Sequence, residues 1–399
     1  MPHSKVTARN ILAPIKDRDR QELLGLTDLV GDAWGRQKIV SDYSLFQALW
    51  TFEVPSTIWL EYVNGVESPI TNFTSFNGML SAVGANGVTR LLRSRRSPRY
   101  QTNRGHLFST SVILPTGANS SVYRFGMYND HSGVFFKMTN GQLFACRRTL
   151  IGTTITTIEE LIQTPEGFDF TKGNLYDIQM QWRGVGNIYF YINQQLIHTM
   201  KLLGTLVNVS ISIPSLPVSF EIIGTGTMYS GCVDLASEGG GQSVRQRGTV
   251  DSGEISLSAI EVPVLLVFIP NTITYNTNSI MNSRDVALRR MSAFCDVNST
   301  LKVYTTRTAT KFTGTTFSNY DTLGTIKYAV NGQIVLDNLT TNISRVLTRR
   351  LPANISIDIN NPDDQYGEFY ITHGDYILVT MQAKNVALGG VSIEWGQDT

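Results

Sequence analysis

Residues 175–192 decide the fold of this protein. They read Leu-Tyr-Asp-Ile-Gln-Met-Gln-Trp, then Arg-Gly-Val-Gly, then Asn-Ile-Tyr-Phe-Tyr-Ile. In the first part apolar and polar side chains alternate, which is the period of a β-strand with one buried face. The glycines predict a turn, and the second apolar run predicts the returning strand. One face of the first strand is predicted to carry Tyr176, Ile178, Met180 and Trp182.

Composition extends this prediction to the whole chain. Only 16% of the 399 residues are charged, and 33 basic residues nearly balance 32 acidic ones. An ordinary globular domain has about 25% charged residues, so the polarity of this chain comes mainly from Thr, Ser and Asn. Thr favours strands, and the other two favour turns. The composition therefore indicates β-rich domains and argues against a helical bundle or a charged disordered tail.

Asn-Gly pairs mark the predicted hairpins, because both central residues of a type I′ turn need positive φ. Strand patterns surround these pairs without helical segments of a dozen residues between them, which predicts β-sandwiches. We therefore expect an all-β fold with two β-sandwich, jelly-roll-like domains preceded by an N-terminal arm with a short helix. The pairs stand at 64–65, 77–78, 86–87, 140–141 and 331–332.

Domain boundaries follow from changes in the residue pattern. Leucines among charged residues predict a short helix over residues 17–30, and Arg284–Phe294 fits another at a sheet edge. The Gly-rich run before residue 253 predicts a flexible linker. The predicted segments are an anchoring arm at 1–58, a concanavalin A-like jelly roll at 59–236, the linker at 237–253 and a second sandwich at 254–399.

Enzyme and metal-site motifs do not occur in the sequence. The five His residues are never two to four apart, and no nucleophile elbow, Walker loop or zinc-protease motif is present. Three separated cysteines form neither a disulfide framework nor a zinc knuckle. The sequence predicts no enzyme, no catalytic residue and no cofactor. A weak calcium candidate, for which an ordinary Asx-turn loop is the favoured alternative, consists of Asp358, Asn360, Asp363 and Asp364.

Arginines form the strongest concentration of charge, with no acidic residue between positions 68 and 129. A nucleic-acid face would need a larger basic surplus than the net charge of +1, so that interpretation is not favoured. Contact with carboxylates of a neighbouring subunit and a local structural role both remain open. The candidates for a subunit contact are Arg90, Arg93, Arg95, Arg96, Arg99 and Arg104.

A second cluster combines aromatic rings with Asn and Asp. Aromatic rings have an apolar body that can stack on a sugar ring, while amides and carboxylates hydrogen-bond to hydroxyls. The alternative, core aromatics flanking a hairpin turn, is favoured over a glycan site. The candidate glycan contacts are Tyr128, Asn129, Asp130, His131 and Trp182.

Several ordered motifs resemble a family of tailed-bacteriophage virion proteins over roughly residues 30–241. The resemblance implies a concanavalin A-like jelly roll in a virion structural protein, and it leaves residues 250–399 without a counterpart. The motifs are Asp-Ala-Trp-Gly-Arg at 32–36, Asp-Tyr-Ser-Leu-Phe at 42–46, Arg-Arg-Ser-Pro-Arg-Tyr-Gln at 95–101, Arg-Phe-Gly-Met-Tyr at 124–128, Asn-Asp-His-Ser-Gly-Val-Phe-Phe at 129–136, Gln-Trp-Arg-Gly-Val-Gly at 181–186 and Ser-Glu-Gly-Gly at 237–240.

The resemblance and the composition together predict a non-enzymatic virion component. It would be made in the host cytoplasm and anchored by its arm as a capsid decoration, a head fibre, or a tail or neck fibre. Expected partners are further copies of itself, as a homo-oligomer of trimer type, and capsid or neck and tail proteins. Neither a membrane nor nucleic acid is expected. The alternatives are a carbohydrate-binding module for host attachment and a polysaccharide depolymerase.

Overall fold

The computed structural model describes residues 42–101, 104–114, 121–165, 167–181, 186–201, 211–238, 246–275, 277–354, 357–360 and 369–397. Strands dominate these ranges, and the helical element within them is one 3₁₀ turn at Ala309–Phe312. No helix in the same ranges is long and apolar enough to cross a membrane. The predicted all-β class and sandwich architecture are confirmed.

The chain divides into two compact units. Unit 1 comprises Met1–Ser94 and Tyr100–Gln242, and unit 2 comprises Arg95–Arg99 and Ser243–Thr399. The short segment Arg95–Arg99 therefore belongs to unit 2, although it interrupts unit 1 in the sequence. Each unit has its own hydrophobic core.

Unit 1 is a jelly-roll-like sandwich built from fourteen connected antiparallel strands. The strands are β1 (Tyr43–Leu49), β2 (Trp59–Val63), β3 (Val66–Ser68), β4 (Phe73–Phe76), β5 (Met79–Ser94), β6 (Gly105–Ile113), β7 (Val122–Tyr128), β8 (Gly133–Thr139), β9 (Gln142–Ile151), β10 (Thr154–Leu161), β11 (Asn174–Gln181), β12 (Ile188–Ile192), β13 (Gln195–Met200) and β14 (Val218–Ser237).

Strand β14 connects the parts of this sandwich. The hydrogen-bonded order is β10-β9-β8-β7-β14-β6-β11-β12-β13, with β5 also paired to β14. Residues 218–223 of β14 pair with β7, whereas residues 229–237 pair with β6. The register shifts at Gly224 between these halves. A Cβ atom at Gly84 would collide there with the carbonyl oxygen of Gly224, so the close approach of the two backbones requires glycine.

Aromatic side chains fill the core of unit 1. Phe125 stacks on Phe136 with ring centroids 5.3 Å apart, and Tyr176 meets both rings edge-on. Tyr176, Ile178 and Met180 are each 0% exposed, which confirms the predicted shared face. Burying one large apolar side chain contributes roughly 1.5–3 kcal/mol, so each of these three side chains stabilises unit 1 on that scale.

Unit 2 contains two six-stranded antiparallel sheets and one separate hairpin. Its strands are β15 (Gln246–Asp251), β16 (Ile255–Leu257), β17 (Val262–Phe268), β18 (Thr272–Tyr275), β19 (Asn278–Met281), β20 (Val286–Cys295), β21 (Ser299–Thr306), β22 (Ser318–Asn319), β23 (Lys327–Val330), β24 (Ser344–Leu351), β25 (Ile357–Asn360), β26 (Phe369–Ile371), β27 (Tyr376–Ala383) and β28 (Ala387–Gln397).

The two sheets of unit 2 share one core. One sheet has the order β15-β28-β20-β25, and the other has the order β22-β23-β17-β27-β21-β24. Met291 and Trp395 of the first sheet lie in the same buried cluster as Leu301 and Val379 of the second. Two sheets facing a common apolar layer form a β-sandwich.

Three of the five Asn-Gly pairs form the predicted tight hairpins. They connect β2 to β3, β4 to β5 and β8 to β9, and φ is positive at both residues of each pair. In the other two pairs positive φ occurs at Gly87 and Gly332, without positive φ at the preceding Asn. Asn86 and Gly87 lie inside the long strand β5, beside the register shift with β14.

Three local predictions are corrected by the structure. Residues 43–49, predicted to belong to an arm, form strand β1 against β14. Arg284–Phe294 contains most of strand β20, because its backbone pairs with β28 on one side and with β25 and β26 on the other, and the sheet overrides local helix preference. Residues 246–251, predicted to belong to the linker, form strand β15 against β28. The predicted helix over residues 17–30 lies outside the described residues.

Candidate functional site

The Tyr128–His131 turn is largely a structural element. Tyr128 is 1% exposed and packs on Phe135 with centroids 4.7 Å apart, so its ring has no open face for stacking on a sugar, and its predicted glycan contact stays a prediction. The Oδ1 atom of Asn129 accepts hydrogen bonds from the backbone N–H groups of His131 and Ser132 at 2.9 and 2.8 Å. These bonds close an Asx turn between β7 and β8.

Three of the predicted site residues lie outside the described residues: Trp182, Asp363 and Asp364. The glycan prediction for Trp182 and the calcium prediction for the two aspartates therefore stay predictions. Asp358 and Asn360 lie in strand β25, opposite Ser292 and Arg290 of β20. Among the described residues no group of three or more metal-binding side chains occurs.

The six arginines do not form one cluster. In unit 1, Arg90 donates to the carbonyl oxygen of Val83, and Arg93 pairs with Asp130. In unit 2, Arg95 lies 3.5 Å from Asp375 and Arg96 lies 3.6 Å from Asp285. Arg99 and Arg104 are half-buried. These contacts within the chain give four of the arginines a local role, and the subunit contact stays a prediction.

The arginine candidates for a subunit contact and the candidate glycan contacts are joined by an ion pair between Arg93 and Asp130. The guanidinium of Arg93 donates from Nη2 to Oδ1 at 2.7 Å and from Nη1 to Oδ2 at 3.3 Å, which is the bidentate geometry that arginine favours. Partial desolvation by the surrounding protein would raise the pKa of Asp130, but the charge and hydrogen bonds of Arg93 outweigh it and lower that pKa. Arg93 of the arginine segment is therefore linked electrostatically to the turn after β7.

A wider set of charged and aromatic side chains lies on the face of the connected strands β5, β14, β7, β8 and β9 that is opposite the core. We call it the arginine face and define it by Arg93, Arg124, Tyr128, Phe135 and Arg148. The strand register creates it. Between β7 and β8, residue 124 pairs with 137, residue 126 with 135 and residue 128 with 133; between β8 and β9, residue 135 pairs with 146 and residue 133 with 148.

Gly126 makes room for the rings of the arginine face. A Cβ atom there would lie 2.6 Å from the carbonyl oxygen of Val134 and 2.7 Å from the Cα of Phe135, and φ is +153°. Both the contact and the backbone conformation exclude other residues. The single glycine in Arg-Phe-Gly-Met-Tyr is therefore what lets Phe135 lie beside Tyr128.

A concave site lies elsewhere in unit 1, where the β12–β13 turn meets the loop before β11. We call it the hairpin pocket, and its volume is about 280 Å³. That volume lies near the lower end of small-molecule sites, about 300–1,000 Å³, and suits one sugar ring. The side chains that offer it chemistry are Phe168, Asp169, Lys172, Asn174, Asn193 and Gln195.

Asparagine side chains hold the hairpin pocket in shape. Asn193 has a φ of 50°, and its Oδ1 accepts the N–H of Leu175 at 2.9 Å. Its Nδ2 donates to Oδ1 of buried Asn174 at 2.9 Å, and Asn174 donates in turn to the carbonyl oxygens of Asp169 and Lys172. The strand end and the loop are thereby tied together through four hydrogen bonds.

Three side chains of the hairpin pocket keep hydrogen-bonding capacity for a ligand: Asp169, Lys172 and Gln195. Hydrogen bonds from Thr171 lower the pKa of Asp169, so this residue is a carboxylate at neutral pH. Its Oδ2 has only a distant neighbour, the ammonium group of Lys172 at 3.9 Å. The exposed amide of Gln195 makes no hydrogen bond to the described residues. The half-buried ring of Phe168 adds an apolar wall.

Unit 2 has a larger groove of about 660 Å³. Its lining includes Asn298, Arg350, Gln382 and Lys384 but no aromatic ring. The amides and cations can bind polar groups, but the lining lacks the flat apolar surface that a sugar ring covers. The hairpin pocket therefore has the better match to a saccharide.

Sequence reasoning missed the hairpin pocket because its residues come from separate segments. The signal in the sequence is weak: Thr-Pro-Glu-Gly-Phe-Asp-Phe at 164–170 and the polar pair Asn193-Gln194 between two apolar strands. That pair predicts a turn, but only the pairing of β11 with β12 brings Asn174 and Asn193 together.

No family model and no curated protein matches this sequence. Solved structures do match: an endo-β-1,3-glucanase from Pyrococcus furiosus covers 50% of this chain and 96% of its own, with 12% identity and a TM-score of 0.39. An endo-1,3-β-glucanase from Streptomyces sioyaensis covers 50% and 97%, with 10% identity and a TM-score of 0.39. A structure described with endo-acting O-glycanases of the human gut microbiota covers 49% and 99%, with 11% identity and a TM-score of 0.39.

These neighbours contradict two predictions. The sequence predicted a structural virion component without enzyme activity, whereas the matching structures are described as enzymes that act on glycans. By this comparison both predictions are wrong, and neither is carried further. With TM-scores of 0.39, the similarity assigns neither a substrate nor a reaction to this chain. The resemblance to the phage family, the oligomeric state and the location stay predictions.

Proposed function

We propose that this chain is a glycan-binding protein whose saccharide site is the hairpin pocket of unit 1. The observation that supports the proposal is the lining of this pocket, where an aromatic ring lies beside a carboxylate, an ammonium group and an amide. A sugar ring has an apolar C–H face and a rim of hydroxyls, so it needs this combination. The polar groups fix the orientation of the ligand and the ring contributes contact area.

The experiment is binding of the full chain to a broad array of saccharides, followed by calorimetric titration with the best ligand. Gln195→Ala and Lys172→Ala remove exposed side chains from the pocket, and their double variant should weaken binding at least about tenfold. Each lost hydrogen bond is worth about 1 kcal/mol, and bonds to charged groups more. Recovered oligosaccharides are checked for shortening, which separates binding from cleavage.

Gln142→Ala is the matched control. Gln142 is also an exposed glutamine at the first residue of a strand after a tight turn, but it does not line the pocket. Its substitution should leave affinity unchanged. Absence of binding across the array would overturn the proposal, and undiminished affinity of the double variant would exclude this pocket as the site.

A further inference from the structure

Arg148 is a half-buried cation without a carboxylate partner among the described residues. Its Nη1 donates to the carbonyl oxygen of Asn129 at 2.8 Å. Its guanidinium carbon lies 5.6 Å from the ring centre of Tyr128 and 5.3 Å from that of Phe135. Burial is the largest influence on the pKa of Arg148 and lowers it; the charge of Arg124 also lowers it, whereas Tyr128 and the more distant carboxylates of Glu221 and Asp130 act in the opposite direction. A desolvated cation in such a place is costly unless an anion joins it.

The other cations on this face already have partners. Arg93 lies 2.7 Å from Asp130, Arg124 lies 2.7 Å from Glu221, and Lys137 lies 2.6 Å from Glu159. Among the described residues no carboxylate lies within ion-pair distance of Arg148, unlike these three cations. The carbonyl oxygen of Asn129 and the two rings therefore hold Arg148 in place without a direct ion pair.

The hydroxyl of Tyr128 is a second unfulfilled group at the same place. It is buried and has no hydrogen-bond partner in the part of the chain that the structure describes. Burial raises the pKa of Tyr128 well above its ordinary value, so the hydroxyl keeps its proton and can donate. Its electrostatic neighbours are Glu221, Arg124, Arg148 and Arg93. A buried hydroxyl without a partner is destabilising, so a hydrogen-bond acceptor from a ligand at this point would be stabilising.

We infer that the arginine face binds an oxyanion, which Arg148 pairs with and to which the hydroxyl of Tyr128 donates a hydrogen bond. A guanidinium on two aromatic rings is fixed in orientation, and its planar fork matches carboxylate, sulfate and phosphate oxygens. The anion is either a free ion or the acidic group of a larger ligand such as a uronic acid. This site is separate from the hairpin pocket and does not depend on the proposed glycan binding there.

The test is calorimetric titration of the full chain with glucuronate, sulfate, phosphate and neutral glucose at constant ionic strength. At least one of the three anions should bind, and glucose should not bind at this face. Glucuronate binding more tightly than both inorganic ions identifies an acidic saccharide, and the reverse order identifies a free oxyanion. Failure of all three anions to bind at millimolar concentration would overturn the inference.

Variants locate the bound anion. Arg148→Met keeps an unbranched side chain over the rings but removes the charge, and it should weaken anion binding at least about tenfold. Tyr128→Phe removes only the hydroxyl, so it should weaken binding severalfold without lowering the melting temperature. Arg349→Met, at an exposed arginine of unit 2, is the control and should bind like the original chain. Anion affinity that is unchanged in Arg148→Met would refute the site.

Folding failure is separated from loss of the site by a conservative change. Arg148→Lys keeps the charge but loses the planar fork, so it should retain part of the affinity while its circular dichroism and melting temperature match the original. If Arg148→Lys and Arg148→Met lose the same anion affinity and both melt at a lower temperature than the original chain, Arg148 has a structural role and the inference is overturned. Neutral saccharides from the hairpin-pocket experiment should bind Arg148→Met normally, so the two proposals fail independently.

Discussion

At the scale of single residues, burial decides which charges can act. The side chain of Arg93 is only 4% exposed, whereas its partner Asp130 is 63% exposed. Water screens the pair from one side, so its contribution lies between those of surface pairs, about 0–1 kcal/mol, and broken buried pairs, about 3–5 kcal/mol. Loss of the carboxylate would leave the guanidinium of Arg93 buried without its strongest partner.

Asp130→Asn should therefore lower the free energy of unfolding by about 1–2 kcal/mol at pH 7, measured by urea denaturation. Because the folded-state pKa of Asp130 is lowered, its stabilisation is complete above the unfolded pKa of about 4 and disappears as pH falls through the folded pKa. The difference between original and variant should shrink in acid. Glu53→Gln, at an exposed residue of unit 1, is the control. A difference independent of pH would contradict this assignment.

Cysteine reactivity is a second consequence of burial. Cys232 is exposed, whereas Cys146 and Cys295 are buried. Burial raises the pKa of the Cys146 thiol to about 12, and the thiolate is the reactive form. In the native protein Ellman's reagent should modify one thiol rapidly, and in guanidinium it should modify three. Cys232→Ser should abolish the rapid phase, and a rapid phase that survives in this variant would contradict the burial of the other two.

At the scale of secondary-structure elements, β1 completes the sandwich of unit 1. It pairs with β14, and the ring of Trp50 just after it lies 5.1 Å from that of Trp59. Phe46 of β1 meets Trp59 edge-on at 5.4 Å. The first described residues are therefore part of the aromatic core. Sequence reasoning placed them in an arm because one short strand without its partners shows no recognisable core.

Deletion of residues 1–58 should consequently destabilise unit 1, and the product should aggregate or melt at a lower temperature. It loses the β1 pairing, which exposes the edge of β14, and it loses three aromatic contacts made by Phe46 and Trp50. A chain that begins at Asp42 keeps every described contact of β1 and should melt at a higher temperature than the chain that begins at Trp59. Scanning calorimetry on both truncations decides the matter. Equal melting temperatures would show that β1 adds no stability.

At the scale of the whole molecule, the division of the chain differs from its order in sequence. Unit 2 includes Arg95–Arg99, and within it the backbone N–H of Ser97 lies 3.5 Å from Oδ1 of buried Asp285. The nearby guanidinium of Arg96 adds positive charge beside that carboxylate. A fragment cut at the obvious sequence boundary would therefore lack part of this unit.

A fragment of residues 243–399 should melt several degrees below the unit 2 transition of the full chain. It lacks the segment that neutralises Asp285, and a destabilisation of about 1 kcal/mol lowers the melting temperature of a domain of this size by roughly 2–4 °C. The fragment carrying Asp285→Asn should recover part of this loss, because the amide removes the buried charge. Identical transitions in fragment and full chain would rule out this role for residues 95–99.

Sequence patterns were sufficient for the local geometry of the sandwiches. Alternation placed Tyr176, Ile178 and Met180 on a buried face, and Asn-Gly located three hairpins, because strand period and positive φ are properties of a few consecutive residues. The same reasoning failed for Arg284–Phe294, whose strand form depends on neighbours far away in the chain. It also gave no sign that Tyr128 is buried, since alternation cannot tell whether a second face is covered.

By itself the sequence determined the fold class, the strand periods and most tight turns of this protein, since these depend on backbone preference and local hydrophobic order. Only the tertiary structure decided which polar groups meet. The pairing of Arg93 with Asp130, the unpaired charge of Arg148 beside Tyr128, and the hairpin pocket all join segments that are distant in sequence. Strand register creates these sites, and register is set by the packing of the whole sandwich.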